Sequence, residues 1–82
     1  MAGNFHPLGF DQVINARQEI DYVSATKNYY GLAAPGTVTS AAGWQIREET
    51  LDSQGRTTSI KFAGGTLEYN QVWDNRATLT YS

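Results

Sequence analysis

The 82-residue chain has no cysteine and one histidine, His6. Disulfides and thiolate metal centres are therefore excluded, and a histidine-based metal site lacks ligands. Charge is sparse and mixed, with six basic and eight acidic residues for a formal net charge of −2. Arg17, Lys27, Arg47, Arg56, Lys61 and Arg76 never run together. The clustered cationic surface that a phosphate backbone requires is missing, so no nucleic-acid partner is expected. No apolar stretch approaches the ~20 residues of a membrane-spanning helix. The opening MAGNFHPLGF lacks the basic start and apolar centre of a signal peptide. The expectation is a soluble protein with no membrane partner.

Groups for catalysis are equally thin. Nucleophilic catalysis needs a nucleophile, a base and a residue that orients the base, and the single imidazole sits between Phe5 and Pro7. Glu48, Glu49, Asp52 and Glu68 offer carboxylates of the kind paired in glycoside hydrolysis. A chain this short has no evident deep cleft for a sugar, and exposed strand carboxylates are ordinarily solvated. Gly64-Gly65 precedes neither a helical pattern nor the Lys-Ser/Thr signature of a phosphate loop. Asp52-Ser53-Gln54-Gly55 opens like a calcium loop, but Ala63 stands where the closing glutamate belongs. No catalytic residue, cofactor or metal is nominated, and a non-enzymatic protein is expected.

What the chain does contain is turn chemistry and alternation. Ala34-Pro35-Gly36-Thr37 is a turn, with proline presetting φ and glycine supplying positive φ. Before it, Ile20, Tyr22 and Ser24 alternate with Asp21, Val23 and Ala25 as a strand would. Lys27-Asn28 then serves as a turn into a second strand from Tyr29 to Ala33. A helix over residues 11–20 competes, because Val13, Ala16 and Ile20 have helical spacing. Residues 37–43 are small and polar, a linker lying close to the sheet.

Residues 43–82 read as two consecutive hairpins. Asp52 to Arg56 suits a three-residue loop with Gly55 in the left-handed conformation. That loop pairs Asp52 with Arg56, Ile46 with Phe62 and Glu48 with Ile60. Ala63-Gly64-Gly65-Thr66 suits a two-residue loop that pairs Phe62 with Leu67 and Ile60 with Tyr69. The two turns then gather Trp44, Ile46, Ile60, Phe62, Leu67 and Tyr69 on one face, with Gln45, Arg47, Ser59 and Lys61 on the other. Asn70 to Arg76 breaks the alternation as a helical turn, and a final strand, residues 77–81, returns along the sheet. The expected fold is all-β: a small antiparallel meander, sandwich or partial barrel of about five or six strands. Residues 1–16 form an extended N-terminal arm and residues 17–82 a single small domain.

Two places offer contact chemistry. Phe5, Leu8 and Phe10 are apolar residues of the arm, suited to docking on a partner, or else incidental to a tail. Trp73 and Arg76 are residue types enriched in binding hot spots, with Asp74 placed to hold Arg76; alternatively Trp73 caps the core while Asp74 and Asn75 satisfy the turn. Tyr22, Tyr29, Tyr30, Tyr69 and Tyr81 permit a stacking platform, although half-buried sheet tyrosine is the commoner arrangement. A chain of this length buries only about 60% of its unfolded surface, so oligomerisation or docking on a larger assembly is the expected support.

The run from Tyr29 to Glu49, the Ile60 to Thr66 hairpin and the closing Val72 to Ser82 together resemble a group of short proteins of tailed bacteriophages. Members carry a Tyr-x-Gly segment and an Ala-Pro-Gly block leading to Trp-x-Ile. They also carry an Ile-x-Phe-Ala-x-Gly hairpin and a closing Val-Trp-Asp-x-Arg-Ala-x-Leu-x-Tyr. Here these fall at Tyr30–Leu32, Ala34–Ile46, Ile60–Gly65 and Val72–Tyr81. Gly64 stands where many members have aspartate, which keeps the turn, and the first 28 residues lie outside the match. The resemblance implies a virion protein made in the host cytoplasm, with other virion proteins and copies of itself as partners, in a symmetric oligomer or docked on a larger assembly. It implies no catalytic residues. The tail, neck or fibre-attachment region is favoured within the particle; capsid decoration, or a soluble module binding a host protein or glycan, are the alternatives.

Overall fold

The computed structural model describes residues 16–82. Five strands form an antiparallel sheet: β1 (Arg17–Ser24), β2 (Lys27–Ala33), β3 (Ala42–Leu51), β4 (Thr57–Phe62) and β5 (Gln71–Val72). Spatial order follows chain order from β1 to β4, and β5 pairs with β3. A 3-10 helix, Trp73–Thr78, closes the fold. The architecture is the all-β meander that the turn chemistry predicts. Residues 17–20 belong to β1, which excludes a helix there; residues 11–15 lie outside the described residues.

Local chemistry explains the connections. Thr37 N donates to Ala34 O at 3.1 Å and Gly36 has φ of 85°, so Pro35-Gly36 turns the chain as expected. The β1–β2 turn lies at Ala25-Thr26, two residues earlier than Lys27-Asn28, with Ser24 opposite Lys27. In the next hairpin Asp52 N donates to Arg56 O at 2.8 Å, and Gly55 adopts a φ of 81°. Asp52 Oδ1 also accepts from the amides of Gln54 and Arg56, filling the loop with its own carboxylate.

The loop is as expected, yet the register beyond it differs by one residue. Leu51 pairs with Thr57, but Thr50 pairs with Ser59, so Thr58 is an extra residue in a β-bulge. A one-residue slip sends every side chain to the opposite face. Phe62 therefore lies opposite Arg47, and Ile60 opposite Glu49, instead of opposite Ile46 and Glu48. Ala63 takes the expected place of Phe62, donating its amide to Ile46 O at 2.8 Å. Ser59 and Lys61 move to the face of Ile46.

The second hairpin does not form. Gly64 and Gly65 have the expected positive φ, and Gly65 N donates to Phe62 O. The chain then leaves the sheet, because Gln45 Nε2 holds Leu67 O at 2.7 Å. The outer edge of β4 is met by the last residues: Phe62 and Ser82 exchange both backbone hydrogen bonds, and Ala63 bridges Tyr81. That bridge replaces the expected strand over residues 77–81. Ile60, Leu67 and Tyr69 are exposed and Phe62 half-buried; only Trp44 and Ile46 of the six expected core residues are fully buried.

The core comprises Tyr29, Ala33, Trp44, Ile46, Ala63 and Trp73, with Leu79 and Tyr81 packed against it. All the strand residues among them share one face of the sheet. Trp73 lies over that face beside Trp44, ring centroids 5.9 Å apart, and directly over Gly31. A Cβ built on Gly31 would sit 2.5 Å from Trp73 Cε3 and 3.0 Å from Trp44 Cε3. The Trp44 indole N–H is satisfied by Val38 O at 3.0 Å, so the linker closes over its edge.

Gly31→Ala is expected to destabilise the protein by about 1–3 kcal/mol, the usual cost of overpacking a filled core. Gly31 has no positive φ to defend, so the whole loss is steric. Urea unfolding followed by tryptophan fluorescence measures it; an unchanged midpoint would contradict the packing described.

Candidate interaction face

The face of the sheet opposite Trp73 is met at its Gln45 end by the segment around Leu67, while beyond it apolar side chains stand exposed. Register places its side chains in rows. One row runs Tyr22, Asn28, Glu49, Ile60 from β1 to β4; the next runs Ile20, Tyr30, Arg47, Phe62. Apolar residues flank each row and polar groups occupy the centre. Tyr22 is 71% exposed, Ile60 51% and Ile20 49%, so the apolar flanks are open to water.

The centre is tied together within the chain. Glu49 Oε1 accepts from Asn28 Nδ2 and from the Tyr30 hydroxyl, both at 2.9 Å, and Glu49 Oε2 accepts from Thr57 Oγ1. Hydrogen bonds from Thr57, Asn28 and Tyr30 hold the Glu49 carboxyl below the ordinary glutamate range, outweighing partial burial, which acts the other way. Burial, then the neighbouring Glu49 carboxylate, pushes the Tyr30 phenol up. Arg47 lies over the Phe62 ring at 5.4 Å and donates from Nη2 to Gln45 Oε1 at 3.2 Å. Its Nε is buried without an acceptor. Asn28 and Gln45 are buried polar residues, and both are hydrogen-bonded.

The residues nominated from sequence lie elsewhere. Phe5, Leu8 and Phe10 fall outside the described residues, as does His6. Trp73 is 4% exposed and belongs to the core, so its ring offers no surface to a partner. Arg76 covers the Trp73 ring at 4.6 Å and donates to Asp21 Oδ2 at 2.9 Å and to Trp73 O at 3.2 Å. It thereby fastens the 3-10 helix to β1. The tyrosines divide: Tyr29 and Tyr81 stack at 5.5 Å on the covered face, Tyr30 joins the Glu49 network, and Tyr22 and Tyr69 are exposed. No common platform exists.

Chemically, the open face can seat an apolar surface on its two flanks and present the positive charge of Arg47 between them. No cluster of three histidine, aspartate or glutamate side chains that could hold a metal occurs among the described residues. Sequence reasoning assigned Ile60 and Phe62 to the core and so missed this face. The alternation of Ile20 and Tyr22 was its one visible signal. Comparison with protein-family models, curated proteins and solved structures gives no match.

The network fixes a pH response. Ionised Glu49 is favoured in the folded state, so its contribution is complete above the ordinary value of 4.5 and is lost as pH falls through its lower folded value. Asp52, held down first by the Arg56 amide, acts in the same direction. Tyr30, and Tyr81 raised chiefly by burial, act at the other end: their contribution is complete below 10.0 and declines above it. The urea midpoint should be flat between about pH 5 and 9 and fall on both sides. Glu49→Gln should flatten the acid limb and Tyr81→Phe the alkaline limb; limbs unchanged in these variants would contradict the assignment.

Proposed function

We propose that the chain is a non-enzymatic structural component of a tailed-phage particle, a small β module repeated in the tail, neck or fibre-attachment region. One observation carries the reading: the Ala-Pro-Gly block ending at Trp44 and Ile46 and the closing block containing Trp73 and Tyr81 occur together, in order, as in the short phage proteins the sequence resembles. The physical role of these blocks supports it. Each contributes one indole to the pair over Gly31, so the shared motif coincides with the residues that build the fold. Motif residues committed to packing suit a protein whose work is contact, with other virion proteins and with its own copies.

Mass spectrometry of purified particles of the phage encoding the chain is expected to find it at a fixed stoichiometry relative to a tail protein. Antibody labelling in electron micrographs is expected to mark the tail or neck. Absence from particles at stoichiometric level would overturn the proposal, and label over the capsid shell would move the module to decoration.

A further inference from the structure

The open face has a symmetry that the covered face lacks. In the two rows, Ile20 and Tyr22 are neighbours on β1, Tyr30 and Asn28 on β2, Arg47 and Glu49 on β3, and Phe62 and Ile60 on β4. Each strand thus carries a pair of like character, except β3, which carries one cation and one anion. Turning a second copy over, about a two-fold axis in the plane of the sheet and perpendicular to the strands, exchanges the members of every pair. Ile20 then meets Tyr22 of the other copy, Phe62 meets Ile60, Tyr30 meets Asn28, and Arg47 meets Glu49, each contact occurring twice as an isologous interface requires. The segment 66–70 lies beside Gln45, beyond the Arg47 row, so the two copies of it fall at opposite ends of the interface.

We propose that this face is where a second copy of the chain seats, forming a four-layer particle with the two Trp73 covers outside and a face-to-face sheet pair at its centre. Three observations point to a second copy over another occupant. The charge pattern is complementary to itself: Arg47 of one copy faces Glu49 of the other, and no like charges face one another. The central polar groups are already hydrogen-bonded within their own chain, so closing the face strands few of them, as burial requires. The open apolar flanks also supply contact: Tyr22, Ile20 and Ile60 keep about half or more of their surface exposed in the single chain, a small patch that places the pair at the low end of specific interfaces. Sheets packed in this way sit about 10 Å apart with strands aligned within about 30°. The dimer is accordingly weak and reversible. The inference stands on the face alone and holds whether or not the chain belongs to a particle.

Sedimentation velocity of the full chain across micromolar to millimolar concentrations tests it. The wild type should shift from monomer to dimer, and Ile60→Glu should remain monomeric while retaining its thermal unfolding midpoint within a few degrees. Val38→Glu, exposed but off this face, should dimerise normally. The register is tested by mixing: Ile20→Asp and Tyr22→Lys should each fail to dimerise alone, and an equimolar mixture should form a heterodimer, because the introduced carboxylate of one copy meets the introduced ammonium of the other. A wild type that stays monomeric at millimolar concentration would overturn the proposal. So would a dimer that survives Ile60→Glu, or a mixture that remains monomeric.

Discussion

The fold depends on a bare stretch of backbone at Gly31. Two indoles converge there: Trp44 from the centre of the sheet and Trp73 from the first residue of the 3-10 helix. Any side chain at position 31 would lift Trp73 away from the sheet. Trp73 is the one buried residue of its helix, and such a short segment has no stability of its own. Its position is therefore set by the indole. Once seated, it carries Arg76 to Asp21 on β1, and Tyr81 to Tyr29 on β2, with the Tyr81 hydroxyl bonded to Arg76 O at 2.8 Å. The C-terminal segment thus spans the sheet from β3 to β1, with Trp73 beside Trp44, Tyr81 on Tyr29 and Arg76 on Asp21.

How much of this was legible in the sequence depended on whether a residue type was obligatory. Pro35-Gly36 and Gly55 were readable because those turns demand their conformations, and the loop at Asp52 formed as its residues require. The bulge at Thr58 was not readable. It needs no glycine and no positive φ, and two adjacent exposed threonines give no hint of which is the extra residue. That single insertion moved Ile60 and Phe62 to the opposite face and put Ala63 against Ile46. Gly64-Gly65 was read as a hairpin because its backbone conformation is that of one. The path beyond it is decided by remote contacts, Gln45 with Leu67 and Trp73 with Gly31, which no local pattern announces. The covered face was equally hidden, since β2 offers Tyr29 and Ala33 on one side and Tyr30 and Leu32 on the other.

The consequence is a sheet with two kinds of face. One is apolar at its centre and closed by the chain itself. The other is apolar at its flanks and polar at its centre, with an ionised glutamate gathered by three neutral donors and an arginine over a phenyl ring. The chain has no cysteine and so no disulfide, and its core is limited to one side of the sheet, so Ile20, Tyr22 and Ile60 on the second face stay exposed. This division leaves the exposed apolar residues on the face away from both tryptophans.

The most direct measurement of the central contact is by NMR. The Gly31 Hα protons lie against two indole faces, so ring currents should shift at least one of them well upfield of its random-coil position. NOEs from Gly31 Hα to the Hε3 protons of Trp73 and Trp44 should accompany the shift. Ordinary Gly31 Hα shifts with no NOE to either indole would contradict the account, because both rings would then lie away from position 31.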